Sequence, residues 1–249
     1  FGRLAHQPDR VESFSRLWDD LAAVDAGAIE SDWEHAYAEV LGVHEEGDGV
    51  LCVDSRDLER LAGADGLGPW LDELVRRVDG RPFNRFIAEE LTAPLGMDNT
   101  YVGLPKGMED RVSPMRKMEA DAEPNDYSTT FSLPVAVHSV VPGAGGVASA
   151  GNLARFYAMM ERRGSLDGSL VLSPETVEEG VKLQVEGIDQ SLGAFAQRSL
   201  GMALADERMG RSAGNPLKTF GHGGAGTSIG WADLESGLAV GYITNGFRG

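Results

Sequence analysis

The sequence predicts an α+β fold, an antiparallel sheet with packed helices that reads as incomplete. Two observations predict it. Apolar residues recur at helical spacing through much of the first two-thirds of the chain, and over the last fifty or so residues they shift to short strand-like runs split by glycine-rich turns. Helices followed by antiparallel strands is the layer order of α+β domains. A composition of 42% hydrophobic and 24% charged residues is that of a globular chain able to bury a real core.

The elements follow in order. Val11, Phe14, Leu17, Trp18 and Leu21 lie at helical spacing and predict a helix over 8–24. Asp32 is a good N-cap for a second helix through Trp33, Ala36, Tyr37, Val40 and Leu41. His44-Glu45-Glu46-Gly47-Asp48-Gly49 reads as a polar linker, Val50-Leu51-Cys52-Val53 as a short apolar strand, and 54–61 as a short helix. Residues 1–62 are thus taken as a helical N-terminal segment whose origin the sequence does not show, and 63–249 as the main domain portion. There, Trp70, Leu71, Leu74, Val75 and Val78 form one helical stripe, and Phe83, Phe86, Ile87 and Leu91 the next, stopped by Pro94. Residues 102–142 contain Pro105, Pro114, Pro124, Pro134 and Pro142 and predict an irregular excursion. Gly143-Ala144-Gly145-Gly146 turns into a helix over 152–163, and Ser173-Pro174 opens another with a Ser cap and Pro at its first position. Strands are expected over Leu200 to Leu204, Leu217 to Gly221, Thr227 to Ala232 and Leu238 to Thr244. The last two bring Ile229, Trp231, Leu238, Val240, Tyr242 and Ile243 to the two faces of the sheet.

Charge and special residues narrow the function classes. With 22 basic and 39 acidic residues the net charge is −17, a field that repels phosphate backbones and anionic lipid, so no nucleic-acid partner is expected. Cys52 is the sole cysteine, which excludes an intrachain disulfide and suits a small buried hydrophobe. No stretch reaches the roughly 20 apolar residues of a membrane helix. The chain opens Phe1-Gly2-Arg3, without an initiator Met or a secretory pattern, which reads as a fragment or processed form and gives a cytoplasmic expectation. The five histidines, at 6, 35, 44, 138 and 222, show no metal-ligand spacing, so neither metal nor cofactor is expected. Gly221 to Ser228 has phosphate-loop glycine spacing, but Thr227 stands where the lysine is required.

Three segments carry a resemblance. The first is Trp70 to Phe83, continuing to Pro94-Leu95-Gly96-Met97-Asp98-Asn99-Thr100; the second is Gly145-Gly146-Val147-Ala148-Ser149-Ala150 with Asn152-Leu153-Ala154-Arg155-Phe156. The third is Gly221-His222-Gly223-Gly224-Ala225-Gly226 with Trp231-Ala232-Asp233. Together, in this order over about residues 70–245, they resemble the C-terminal portion of class C β-lactamase-like serine hydrolases, the family of penicillin-binding-protein-like esterases. The resemblance implies a β-lactamase/transpeptidase-like fold and a small-molecule ester or amide substrate. It also implies an acyl-enzyme formed on the Ser of Ser-x-x-Lys, with Lys and a Tyr moving protons. On the third motif His222 would line the pocket, Gly223 and Gly224 would let the substrate approach, and Ala225 would be the oxyanion donor.

The chain departs from that pattern where the chemistry starts. No Ser is followed three residues later by Lys. Ser113 to Lys117 is one residue too long, and it and Tyr127-Ser128-Thr129 both fall after the Pro94-Leu95-Gly96-Met97 turn, whereas the family's motifs precede it. Gly63 to Gly68 stands where relatives carry the tyrosine. The catalytic residues therefore stay unassigned, and a non-catalytic binding or structural protein on the same scaffold is the rival reading. A further alternative is an α/β-hydrolase elbow at Gly226-Thr227-Ser228-Ile229-Gly230 with Ser228 as nucleophile, which requires a strand before it and a helix after it.

Overall fold

The computed structural model describes residues 43–46, 50–53, 75–76, 79–118, 131–143, 145–190, 193–210, 214–224 and 228–247. Its first elements are a hairpin, β1 (Val43–Glu46) paired antiparallel with β2 (Val50–Val53). The strand at Cys52 is as expected, but His44, Glu45 and Glu46 are strand and not linker. The register pairs Glu46 with Val50 and Val43 with Val53. The helices expected over 8–24, 32–42 and 54–61 lie outside the described residues, and of the 70–79 helix only Val75, Arg76 and Asp79 are described, all helical.

The second apolar stripe forms α1 (Phe83–Ile87), which continues into a wider π-type turn over Ala88–Thr92. The described residues of the irregular stretch form short pieces: β3 (Thr100–Val102), a 3-10 turn (Glu109–Arg111), β4 (Arg116–Lys117) and α2 (Pro134–His138). Next, β5 (Gly146–Ala148) pairs antiparallel with β3. It leads into α3 (Ala150–Glu161), whose N-cap Ser149 accepts a hydrogen bond from the Asn152 N–H at 3.2 Å. A small hairpin, β6 (Ser165–Leu166) with β7 (Ser169–Leu170), joins α3 to α4 (Pro174–Gly180). As the sequence predicts, Ser173 caps α4 by accepting from the Thr176 N–H, and Pro174 takes the first position.

Then come β8 (Val185–Asp189), β9 (Ala194–Arg198), β10 (Ala203–Leu204), β11 (Thr219–Gly223), β12 (Ile229–Asp233) and β13 (Leu238–Tyr242). They form one antiparallel sheet in the order β13-β12-β11-β10-β9-β8. A last strand, β14 (Gly246–Phe247), pairs in parallel with β4. Strands β8 and β9 go beyond the sequence expectation: Val185-Glu186-Gly187-Ile188-Asp189 has a central glycine and two acids, which masks the alternation. The β11 strand starts later than expected because Pro216 to Lys218 form a 3-10 turn capped by Asn215.

The register sorts side chains by face. Phe220, His222, Gly230, Ala232, Ala239 and Gly241 share one face; Ile229, Trp231, Leu238, Val240 and Tyr242 share the other. The large apolar residues of β12 and β13 therefore lie on a single face, not on two, and Ile243 falls beyond the end of β13. Leu238 and Tyr242 are exposed there, whereas Phe220 and Ala232 on the opposite face are fully buried against the core of Leu95, Met97, Tyr157, Met159 and Met160.

That opposite face is where α3 docks, and glycine sets the separation. A Cβ on Gly230 would lie 2.1 Å from Tyr157 Cε2, and one on Gly241 would lie 2.4 Å from the Ala150 carbonyl oxygen. No described helix is long and apolar enough to cross a membrane.

Gly241→Ala forces backbone apart from backbone, so it is expected to lower unfolding free energy by about 1–3 kcal/mol, the usual cost of overpacking. Gly146→Ala, with nothing within 4 Å of its Cβ position, should move it by no more than a few tenths. Urea denaturation of the two variants side by side measures the contrast.

Candidate active site

The three sequence segments converge on α3. The turn at Pro94–Thr100 is tied to it by Arg155, whose Nε donates to the Leu95 carbonyl at 2.6 Å while a terminal nitrogen pairs with Asp167. The glycine turn joins the same assembly, since β5 pairs with β3 and the Ser149 N–H donates to the Asn99 carbonyl. The third segment is β11, and it meets α3 through Tyr157. That phenol is buried, packs its ring near Phe220 at 6.4 Å, and takes a hydrogen bond from the His222 backbone. Burial pushes its pKa up to about 12, with the His222 hydrogen bond pulling the other way, so it stays a neutral hydroxyl.

Among the described residues, the end of β11 has one open edge. Strand β10 pairs only Ala203 with Gly221 and Leu204 with Phe220, and the Ala205 N–H donates to the Thr219 carbonyl. Before Ala203 the chain bends away into β9 through a turn in which the Ser199 N–H donates to the Met202 carbonyl. In an antiparallel ladder, backbone groups alternate sides, so those of Thr219, Gly221 and Gly223 point toward β10. Gly223 lies past the last pair, and its N–H and C=O on that side have no strand partner among the described residues. On the other side β11 stays paired with β12 as far as Gly223 with Ile229, and the Gly224 N–H donates to the Ser228 carbonyl.

The sequence-derived candidates His222, Gly223 and Gly224 are thus brought together at this end, while Ala225 lies outside the described residues. His222 is exposed, and its Nδ1 sits 2.6 Å from the Gly223 carbonyl. A carbonyl can only accept, so the neutral ring carries its proton on Nδ1 and leaves Nε2 with a lone pair. Ser228 does not stand on an elbow: it leads into β12, a strand and not a helix, and its Oγ accepts from the Thr244 N–H. Among the described residues no group of His, Cys, Asp and Glu could hold a metal ion.

Two further residues shape the site. Asp233 is buried at the far end of the β11–β12 pair. Its Oδ2 accepts from the Thr219 hydroxyl at 2.9 Å, and its Oδ1 accepts from the Glu235 and Ser236 N–H groups. Burial pushes its carboxyl up, but those hydrogen bonds outweigh it and hold the pKa below the usual aspartate value. Arg208, in the turn before β11, lies beside Gly223. Asp233 falls within the third sequence segment but carries no role there, and Arg208 is visible only as a single polar residue outside the motifs.

A sheet with a glycine-lined face, a capped helix seated on it and a motif strand open along one edge define an α+β scaffold of the β-lactamase/transpeptidase type. A family model described as Beta-lactamase matches residues 64–249, and the chain belongs to that family. It is 30% identical over 204 residues to the esterase/beta-lactamase LipL of Mycobacterium tuberculosis, covering 71% of this chain and 46% of that protein. The crystal structure of a family VIII carboxylesterase aligns with a TM-score of 0.64 at 26% identity, over 71% of this chain and 50% of that one. A penicillin-binding protein homologue from Caulobacter crescentus aligns with a TM-score of 0.62 at 26% identity, over 74% and 52%. The chain spans about half the length of these relatives.

Because the Asp233 pKa is lowered on folding, its ionised form stabilises the fold above the ordinary carboxylate range, and that contribution is lost as pH falls below about 4 through the folded value. Asp233→Asn is therefore expected to cost about 1–3 kcal/mol at pH 7, with the gap to the parent narrowing on acidification. Denaturant titrations at pH 7 and at pH 3.5 give both numbers.

Proposed function

We propose that this chain supplies the third-motif wall of an acyl-transfer site for small esters or amides, and that residues 1–249 do not turn such substrates over by themselves. The observation that carries the reading is the open edge of β11 at His222–Gly224, set on a family scaffold by α3. An ester or amide laid along that edge meets the Gly223 N–H and C=O as a strand would. Ala225 is the oxyanion donor by its place in the motif, and His222 borders the opening with an Nε2 that bonds no described residue and can accept a proton or hydrogen bond. Gly224 keeps this approach clear of side chains.

The wall lacks the group that begins the reaction. Acyl transfer needs a hydroxyl whose proton is taken by a neighbouring base, and no Ser of this sequence has a Lys three residues on. Loss of the nucleophile and its base costs acyl-transfer enzymes several orders of magnitude. That sequence feature favours, as the second reading, a scaffold that binds its ligand without transforming it.

Nitrocefin and p-nitrophenyl acetate should show no hydrolysis above background with the purified chain. Intact-mass spectrometry after incubation with a fluorophosphonate or benzylpenicillin should show no stoichiometric adduct. A saturable adduct mapped by peptide sequencing to any serine, Ser228 included, would overturn the non-catalytic part of the proposal.

A further inference from the structure

The loop that follows β3 is fastened to α2 first by backbone and then by a titrating side chain. The Leu104 N–H donates to the Val137 carbonyl at 2.9 Å, and Leu104 itself is buried. A Cβ on Gly103 would lie 3.0 Å from the His138 carbonyl oxygen, so glycine lets the two segments come this close. Past that contact the His138 ring takes over. Its Nδ1 sits 2.6 Å from the Leu104 carbonyl, and its Nε2 lies 3.1 Å from Oε1 of Glu109, the first residue of the 3-10 turn. The same carboxylate oxygen accepts from the Gly107 N–H at 3.1 Å. Farther on, the Asn245 amide donates to the Ser113 hydroxyl and the Pro114 carbonyl, which holds the chain to the end of the sheet.

Both partners of the ring are acceptors. A carbonyl and an ionised carboxylate have no proton to offer, so each ring nitrogen must donate, and only the imidazolium carries both protons. A neutral ring keeps one bond and turns a lone pair on the other oxygen. Glu109 stays ionised while the imidazole titrates, because the backbone N–H groups of Glu109 and Gly107, with the His138 ring behind them, hold its carboxyl below the usual range. No competing charge pair intervenes. α2 has no other titratable residue, and the rest of loop 104–112 carries Lys106, Asp110 and Arg111. Arg111 bonds the Asn99 side chain, and among the described residues no ion pair joins any of the three to His138 or Glu109.

We infer that His138 is a pH-sensitive strap: the protonated ring ties loop 104–112 to α2 through Glu109, and loss of one ring proton releases the turn at Glu109–Arg111. The inference is independent of the reading of β11. The tie is present below the ordinary imidazole range, near about pH 6.5, and is lost as pH rises through it. The His138 and Glu109 side chains are 24% and 51% exposed, so water moderates the effect. A pair of this kind supports a change of about fivefold in local protection at low ionic strength, and less at high salt.

Hydrogen–deuterium exchange of the full chain reads the strap, measured by mass spectrometry at about pH 5.5 and about pH 7.5 with exchange times corrected for the intrinsic pH dependence. The Gly107, Arg111 and Val112 amides report on it, since they donate to Glu109 Oε1, the Met108 carbonyl and the Glu109 carbonyl. Peptides over 105–112 should be about fivefold better protected at the lower pH, while peptides over α3 keep the same protection at both. His138→Gln and Glu109→Gln should each leave 105–112 at the high-pH level under either condition. The two variants remove opposite partners, so either one decides if the other does not fold. Any of three results sinks the inference: equal protection of 105–112 at both pH values in the parent chain, a parallel change in α3, or a pH response that survives in a variant.

Discussion

The contact on which the rest depends is the approach of α3 to the sheet across Gly230 and Gly241. The helix backbone at Ala150 and the ring of Tyr157 occupy the space that side chains at those two positions would take. Three consequences follow from that one separation. Tyr157 reaches the His222 backbone, Arg155 reaches the Leu95 carbonyl, and the Ser149 cap lies where its N–H meets Asn99. Segments far apart in sequence are thereby held around one helix, and the open end of β11 is presented on a supported strand. A helix set farther out would leave Phe220 and Tyr157 without their shared burial, and close-packed interiors lose contact energy steeply with small gaps.

Much of this was legible in the sequence because it rests on local signals. Ser173-Pro174 and the glycine turn before α3 announce helix starts through capping chemistry, and the structure places helices there. The meander β11–β12–β13 shows through its glycine-rich turns. The face assignment was less legible, because register is a property of pairs and a shift of one residue moves a whole row of side chains across the sheet. Strands β8 and β9 escaped for a related reason, since half of their residues are exposed and need no apolar alternation.

The site shows the same division. His222, Gly223 and Gly224 could be picked out because the motif is contiguous, and the structure sets them side by side. Arg208 could not, and Asp233 stood in the third segment without a role, because their importance comes from tertiary placement. Arg208 is fourteen positions before His222, and nothing in its neighbours says that the chain folds back to lay it over Gly223. Asp233 looks like any turn aspartate until its second oxygen is seen on Thr219.

The Asp233 turn also bears on the order in which the chain folds. Strands β11, β12 and β13 are joined by connections of only a few residues, so their pairing closes small loops and forfeits little chain entropy. Seating α3 on Gly230 and Gly241 closes loops of about seventy to ninety residues, contacts of far higher sequence separation. The meander, pinned at one end by a buried carboxylate that stitches a turn to the neighbouring strand, is thus the natural nucleus, with the helix arriving on a surface already formed. In that order the two glycines act late. A side chain at either position would leave the early meander free to form and would raise the barrier only at the docking step, or hasten its reversal.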